Sequence, residues 1–159
     1  MTSGNFGNKS HAVGLNQHHF EWCPKYRLNA MRKSETAEQL KQILYDIAKE
    51  NGILIHEAVV DINHVHLFVS LPFSLSVSKA LQYFKGGSSY RIFRLHPNLR
   101  KMYRKGHFWS PGKFSRSISN VTSKTIANYI KNHDYAALNQ TIQTAQDEPH
   151  QLNLTNYAA

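Results

Sequence analysis

Apolar positions along this 159-residue chain repeat with two different periods. Alternation of apolar and polar residues, rich in β-branched and aromatic side chains, predicts strands over 15–23, 53–60, 64–71 and 108–119. Recurrence every three to four residues predicts helices over 34–51, 75–95 and 124–138. The first helix is the clearest, because Ala37, Leu40, Ile43, Leu44, Ile47 and Ala48 form one stripe. Ser34 suits its N-cap, and Gly52 suits the position just past its end. Pro24 and Pro72 end the first and third strands. Gly86-Gly87 interrupts the second helix, either as a break or as a point of close approach. A Gly, Ser and Asn-rich start (1–11), a basic loop (96–106) and a polar tail (139–159) carry no period. Residues 12–138 therefore read as one domain.

The order strand, helix, strand, strand, helix, strand, helix predicts an α+β fold of the ferredoxin-like, or RRM-like, split βαβ type. Four antiparallel strands carry two helices on one face, with an extra C-terminal helix. The first and third strands are central. On the third, Val65, Phe68 and Val69 compete for the helix-covered core. His64 and His66 should then point the other way and stand open to a substrate.

Composition narrows the class. One cysteine, Cys23, excludes an internal disulfide and fits a cytoplasmic protein. The first residues show no signal peptide. Net charge is +9, and its placement says more than its size. From Ile62 to His133 there is no Asp or Glu, against twelve Lys or Arg. A solvated face mixes both signs, so a one-sign segment of this length points to a polyanion. Around Phe108, Trp109 and Phe114, the cations Lys113 and Arg116 interleave with aromatics. That suits single-stranded nucleic acid, whose phosphates need charge and whose bases need stacking surfaces. The candidate DNA contacts are Lys25, Arg27, Lys85, Arg91, Arg94, Arg100, Lys101, Arg104, Lys105, Trp109, Lys113 and Arg116.

Candidate chemistry begins at His64-Val65-His66. Two imidazoles on one sheet face can hold a metal if a third ligand arrives, though the same pair can simply pack half-buried. His18 and His19 are adjacent and face opposite sides, so they read as structural or nucleic-acid-facing. In the last helix, Tyr129 and His133 are four apart and share a face. A helix that carries His133 to the His64/His66 pair carries Tyr129 with it, although Tyr129 could equally pack beside Ile126 and Ile130.

The segments HHFEWCPKYR (18–27), HVHLFVSLP (64–72), FKGGSSY (84–90), FWSPGKF (108–114) and YIKNH (129–133) occur in that order. Together they resemble the single-tyrosine transposases of small bacterial and archaeal insertion sequences, the IS-two-hundred-like group of the HUH (His-hydrophobic-His) superfamily. The resemblance implies an enzyme that cuts and rejoins single-stranded DNA at element ends through a 5′-phosphotyrosine. It implies Tyr129 as nucleophile and His64, His66 and His133 as ligands of Mg²⁺ or Mn²⁺. It also implies a DNA hairpin near the element end and a homodimer with its active site assembled in trans. That would make 12–138 the catalytic domain.

Two positions depart from the group's pattern. His133 stands where Gln is usual, which would move metal preference from Mg²⁺ toward Mn²⁺ or a later metal. Ile62-Asn63 stands where Pro-Asp is common, so Asn63 must orient a ligand uncharged, or Asp61 must substitute. The competing readings are a non-catalytic single-strand-binding module, a metal-dependent hydrolase without a covalent step, and a related replication initiator, relaxase or domesticated repeat-associated transposase.

Overall fold

A computed structural model describes residues 7–9, 12–14, 16–103, 105–118, 125, 128 and 130–132. Gly7–Lys9 (β1) pairs with Ala12–Gly14 (β2) in a small ladder of its own. The main sheet is built from Gln17–Trp22 (β3), Leu54–Val60 (β4), Val65–Ser70 (β5) and Phe114–Ile118 (β6). Its order is β4-β5-β3-β6, and all pairings are antiparallel. The first and third predicted strands are thus central, as the split βαβ reading requires. The helices are Ser34–Glu50 (α1), Val77–Leu95 (α2) and the short Pro97–Lys101 (α3). Thr125, Asn128, Ile130 and Lys131 are helical too. Among the described residues no helix is long and apolar enough to cross a membrane.

The core lies between the sheet and the helices α1 and α2. Leu40, Ile43, Leu44, Ile47 and Ala48 of α1 are buried there, as the stripe predicted. From β3 come Phe20 and Trp22, whose rings meet Phe84 of α2 at 6.4 and 6.2 Å. Full burial of one such side chain is worth roughly 1.5–3 kcal/mol, so this face decides which way each strand turns. Register then assigns the faces. Val65, Leu67 and Val69 pair with Trp22, Phe20 and His18, so they look toward the helices. His66 and Phe68 pair with Glu21 and His19 and look away.

Several expectations change here. Phe68 sits on the His66 face, stacked on His56 at 4.6 Å, because residues two apart in a strand share a side. The N-cap of α1 is Lys33, with no side-chain cap, and not Ser34. The basic loop contains α3. The fourth strand starts only at Phe114, because Ser110-Pro111-Gly112 breaks the ladder and an aromatic cluster draws Phe108 and Trp109 inward.

The double glycine does not break α2. A Cβ on Gly87 would stand 2.9 Å from Ile47 Cδ1, whereas one on Gly86 would meet nothing within 4 Å. Gly87 is therefore where α1 and α2 approach, and Gly86 is not. The two alanine variants should differ in stability. Gly86→Ala gains up to ~1 kcal/mol of helix propensity. Gly87→Ala has the same gain but must displace a buried Ile47, and overpacking of that kind costs about 1–3 kcal/mol, so it should be the less stable of the two. Urea unfolding of both variants would read the difference. Equal midpoints would remove the close-approach reading.

Candidate metal and nucleic-acid site

The turn between β4 and β5 places the first imidazole. Asp61 N–H donates to the His64 carbonyl at 2.8 Å, and Asp61 Oδ1 accepts from Ile62 N–H at 2.7 Å. That closes the turn and sets His64 just ahead of β5. Asn63 Oδ1 lies 2.6 Å from His64 Nδ1. An amide oxygen only accepts, so the proton of this pair sits on Nδ1 and the ring offers Nε2 as its lone-pair nitrogen. Of the two candidates for orienting this imidazole, Asn63 makes the contact with its Nδ1, while Asp61 makes turn hydrogen bonds.

One pleat further on, His66 lies in the same direction, with ring centroids 6.2 Å apart. His66 is only 2% exposed, so the expectation of an open face holds for the half-buried His64 but not for His66. Its Nδ1 is 3.3 Å from His19 Nε2 and 3.9 Å from Glu21 Oε2. His19 is equally buried, stacked on His66 and edge-on to Phe114. Burial, helped by the neighbouring Arg116, lowers the His19 pKa to about 4, which keeps that ring neutral at cellular pH. In each histidine Nδ1 stands within reach of a protein acceptor, and a ring that donates from Nδ1 coordinates a metal through Nε2. This donor set fits a divalent ion of borderline softness.

Two ligands do not complete a site. Among the described residues no three His, Cys, Asp or Glu side chains converge. Tyr129 and His133 lie outside the described residues, as does Arg104. Ile130 between them is fully buried and absent from the main core cluster. Phe68 and Ile118, both buried on the His66 face by register, are absent from that cluster too.

Beside His64 opens a cleft of about 460 Å³, lined by Tyr26, Arg27, Lys113 and Phe114 among others. Tyr26 and Arg27 have φ of 63° and 50°, a left-handed conformation that is costly for side chains of this size. The bend turns Tyr26 outward, 64% exposed, with Lys25 Nζ 5.2 Å from its ring centre.

The remaining predicted DNA contacts divide. Arg27 and Lys113 line the His64 cleft, and Arg116 pairs opposite His19 on the same sheet face. Arg100, Lys101 and Lys105 are exposed around a separate cleft at α3. Arg91 pairs with Glu50, and Arg94 donates to Tyr90 Oη at 2.7 Å. Lys85 donates to the carbonyls of Ser110, Pro111 and Gly112 at 2.7, 3.4 and 3.1 Å, pinning the loop that walls the His64 cleft. Trp109 is committed to the core, where its ring meets Phe108 at 4.4 Å and its Nε1 donates to Ser88 at 2.8 Å. At 6% exposure it presents little surface to a base. Sequence reasoning missed His19 and Glu21 at His66. Strand parity already requires His18 or His19 to face the His66 side, but choosing between them needs the register.

The family model described as "Transposase IS200 like" matches residues 12–133. The chain belongs to that family. Among relatives, it is 34% identical over 119 residues to the ISDra2 transposase TnpA of Deinococcus radiodurans, covering 74% of this chain and 84% of that one. It is 30% identical over 115 residues to the transposase of insertion sequence element IS200 from Salmonella typhimurium, covering 72% and 74%. A crystal structure of a candidate transposase from Deinococcus radiodurans superposes with a TM-score of 0.66 at 30% identity, over 79% of this chain and 95% of that one. A REP-associated tyrosine transposase bound to a REP hairpin shares the fold, with a TM-score of 0.52 at 13% identity, over 79% and 73%. The split βαβ architecture is thus that of this family.

Proposed function

We propose that this transposase cleaves and rejoins single-stranded DNA at insertion-sequence ends by tyrosine transesterification. The observation that carries the reading is the pair His64 and His66, each with Nδ1 turned to a protein partner, beside a cleft walled by cations and aromatics. His64 and His66, with His133 as third ligand, would hold Mg²⁺ or Mn²⁺, which when bound polarises the scissile phosphate and offsets its developing charge. Arg27 and Lys113 at the rim hold the phosphates on either side in register with the histidines. Tyr129 attacks the phosphorus, giving up its phenolic proton while the departing 3′ oxygen gains one. The resulting 5′-phosphotyrosine conserves the bond, so a second strand's 3′-hydroxyl can reverse the step and exchange partners. The hairpin named for the REP-associated neighbour supports a structured element end as the recognised DNA, here too. The deciding experiment incubates the chain with single-stranded element ends and Mn²⁺, then looks for a covalent protein–DNA species on a denaturing gel. Tight binding without adduct would favour the non-catalytic single-strand module instead.

Binding should depend steeply on salt. Counterion release from single strands lowers log K by roughly 0.7 per phosphate contact for each decade of salt, so six contacts give a slope near −4. Neutralising Arg100, Lys101, Arg104 and Lys105 together should flatten that slope. A wild-type slope near zero would remove the polyanion argument.

A further inference from the structure

The two histidines are held by different means. For His64 the partner is a neighbour in sequence, Asn63, whose oxygen takes the Nδ1 proton at 2.6 Å. For His66 the partner comes from another strand, His19 Nε2 at 3.3 Å from Nδ1, and the two rings lie almost parallel, 11° apart with centroids at 5.5 Å. Glu21 is nearer in register, directly across the ladder from His66, but its carboxylate stays 3.9 Å from the same nitrogen, beyond hydrogen-bond reach. We propose that His19 is the positioning residue of His66: it takes the Nδ1 proton and sets the ring so that Nε2 meets the metal, as Asn63 does for His64. This rests on the reading that His64 and His66 hold a metal.

Three features support the role. A metal-ligating histidine needs a partner for its second nitrogen, both to fix the tautomer and to fix the ring's rotation. His19 is 1% exposed and sits in the sheet opposite Arg116 and Phe68, with Phe114 against its edge, so it has little freedom to turn. The third feature is a cost. If His66 donates from Nδ1, His19 must accept at Nε2 and carry its own proton on Nδ1, and that atom is buried with no hydrogen-bond partner. A buried donor left without an acceptor is a standing cost to the fold. An apolar residue at this position would avoid the cost, so a buried histidine here makes sense if its Nε2 is needed.

The test measures Mn²⁺ affinity by the EPR signal of free ion, independent of cleavage. His19→Phe keeps a ring on Phe114 and removes the acceptor, and should weaken Mn²⁺ binding roughly 10- to 100-fold. Its Tm and its affinity for an oligothymidylate in EDTA should stay near wild type. His19→Gln, which restores an acceptor, should recover most of the loss, and Glu21→Gln should change affinity less than His19→Phe. Wild-type affinity in His19→Phe, or a larger loss in Glu21→Gln, would overturn the proposal. A measurement on the unmutated chain stands beside these in case His19→Phe fails to fold. In ¹⁵N-labelled protein with Mg²⁺, a coupling across the hydrogen bond should link His66 Nδ1 to His19 Nε2, and its absence would overturn the role equally. If His66→Ala leaves Mn²⁺ uptake unchanged, the metal site itself is wrong. Failure of His19→Phe alone to weaken uptake defeats only the His19 role.

Discussion

Tyr129→Phe should form no covalent adduct with single-stranded element ends while binding them within about twofold of wild type. Phe keeps the ring and every apolar contact but lacks the oxygen that attacks, and no general-acid or metal effect can replace a missing nucleophile. The control is Tyr135→Phe, which should form adduct normally. If the two variants exchange behaviours, the nucleophile is misassigned. The same variant also reads subunit arrangement. Mixed with His66→Ala under demonstrated subunit exchange, it should restore one working site if each tyrosine serves its partner's histidines, with adduct on the His66→Ala chain. Cis assembly gives no rescue. Ile130 is buried within a single chain, and the mixing result decides whether Tyr129 reaches across.

Removing either histidine should silence metal-dependent cleavage. Loss of a metal's charge at the transition state is worth several kcal/mol, and every 1.36 kcal/mol is tenfold, so a fall of roughly 10³-fold is expected for His64→Ala and His66→Ala. The two should differ in stability. His64 is half-exposed ahead of β5 and its alanine variant should melt near wild type. His66 is 2% exposed in a central strand and stacked on His19, so His66→Ala should also lower Tm. His133→Ala should weaken metal affinity more mildly, and His133→Gln should keep activity. A His133→Gln chain as inactive as His133→Ala would count against His133 as a ligand. Cleavage persisting in His64→Ala at wild-type rate would remove the metal from this sheet face altogether.

Much of this was legible before any coordinates. Period alone separates strands from helices, because a half-buried strand must alternate and a surface helix must repeat every three to four residues. The stripe on α1 and the shared side of His64 and His66 follow from it, and the order of the elements then gives β3 and β5 their central places. Charge placement pointed to a polyanion for a reason equally local, since no acid interrupts the cations after Asp61.

What period cannot supply is register and long-range company. Trp109 beside Lys113 looks like a stacking platform, but whether an aromatic faces solvent depends on what packs over it, and Phe108, Trp22 and Ser88 claim it. Lys85 reads as a phosphate contact until three carbonyls 25 to 27 residues away take its ammonium. The double glycine was ambiguous for the same reason: only the approach of Ile47 distinguishes Gly87 from Gly86. His19 is the sharpest case. The sequence by itself determined that His18 and His19 face opposite sides and that His64 and His66 face one. Only the tertiary structure, by pairing β3 with β5 in one register out of several, decided that His19 rather than His18 stands against His66. A one-residue slip would exchange them, and what forbids the slip is the burial of Phe20 and Trp22 against Phe84 on the far side of the sheet.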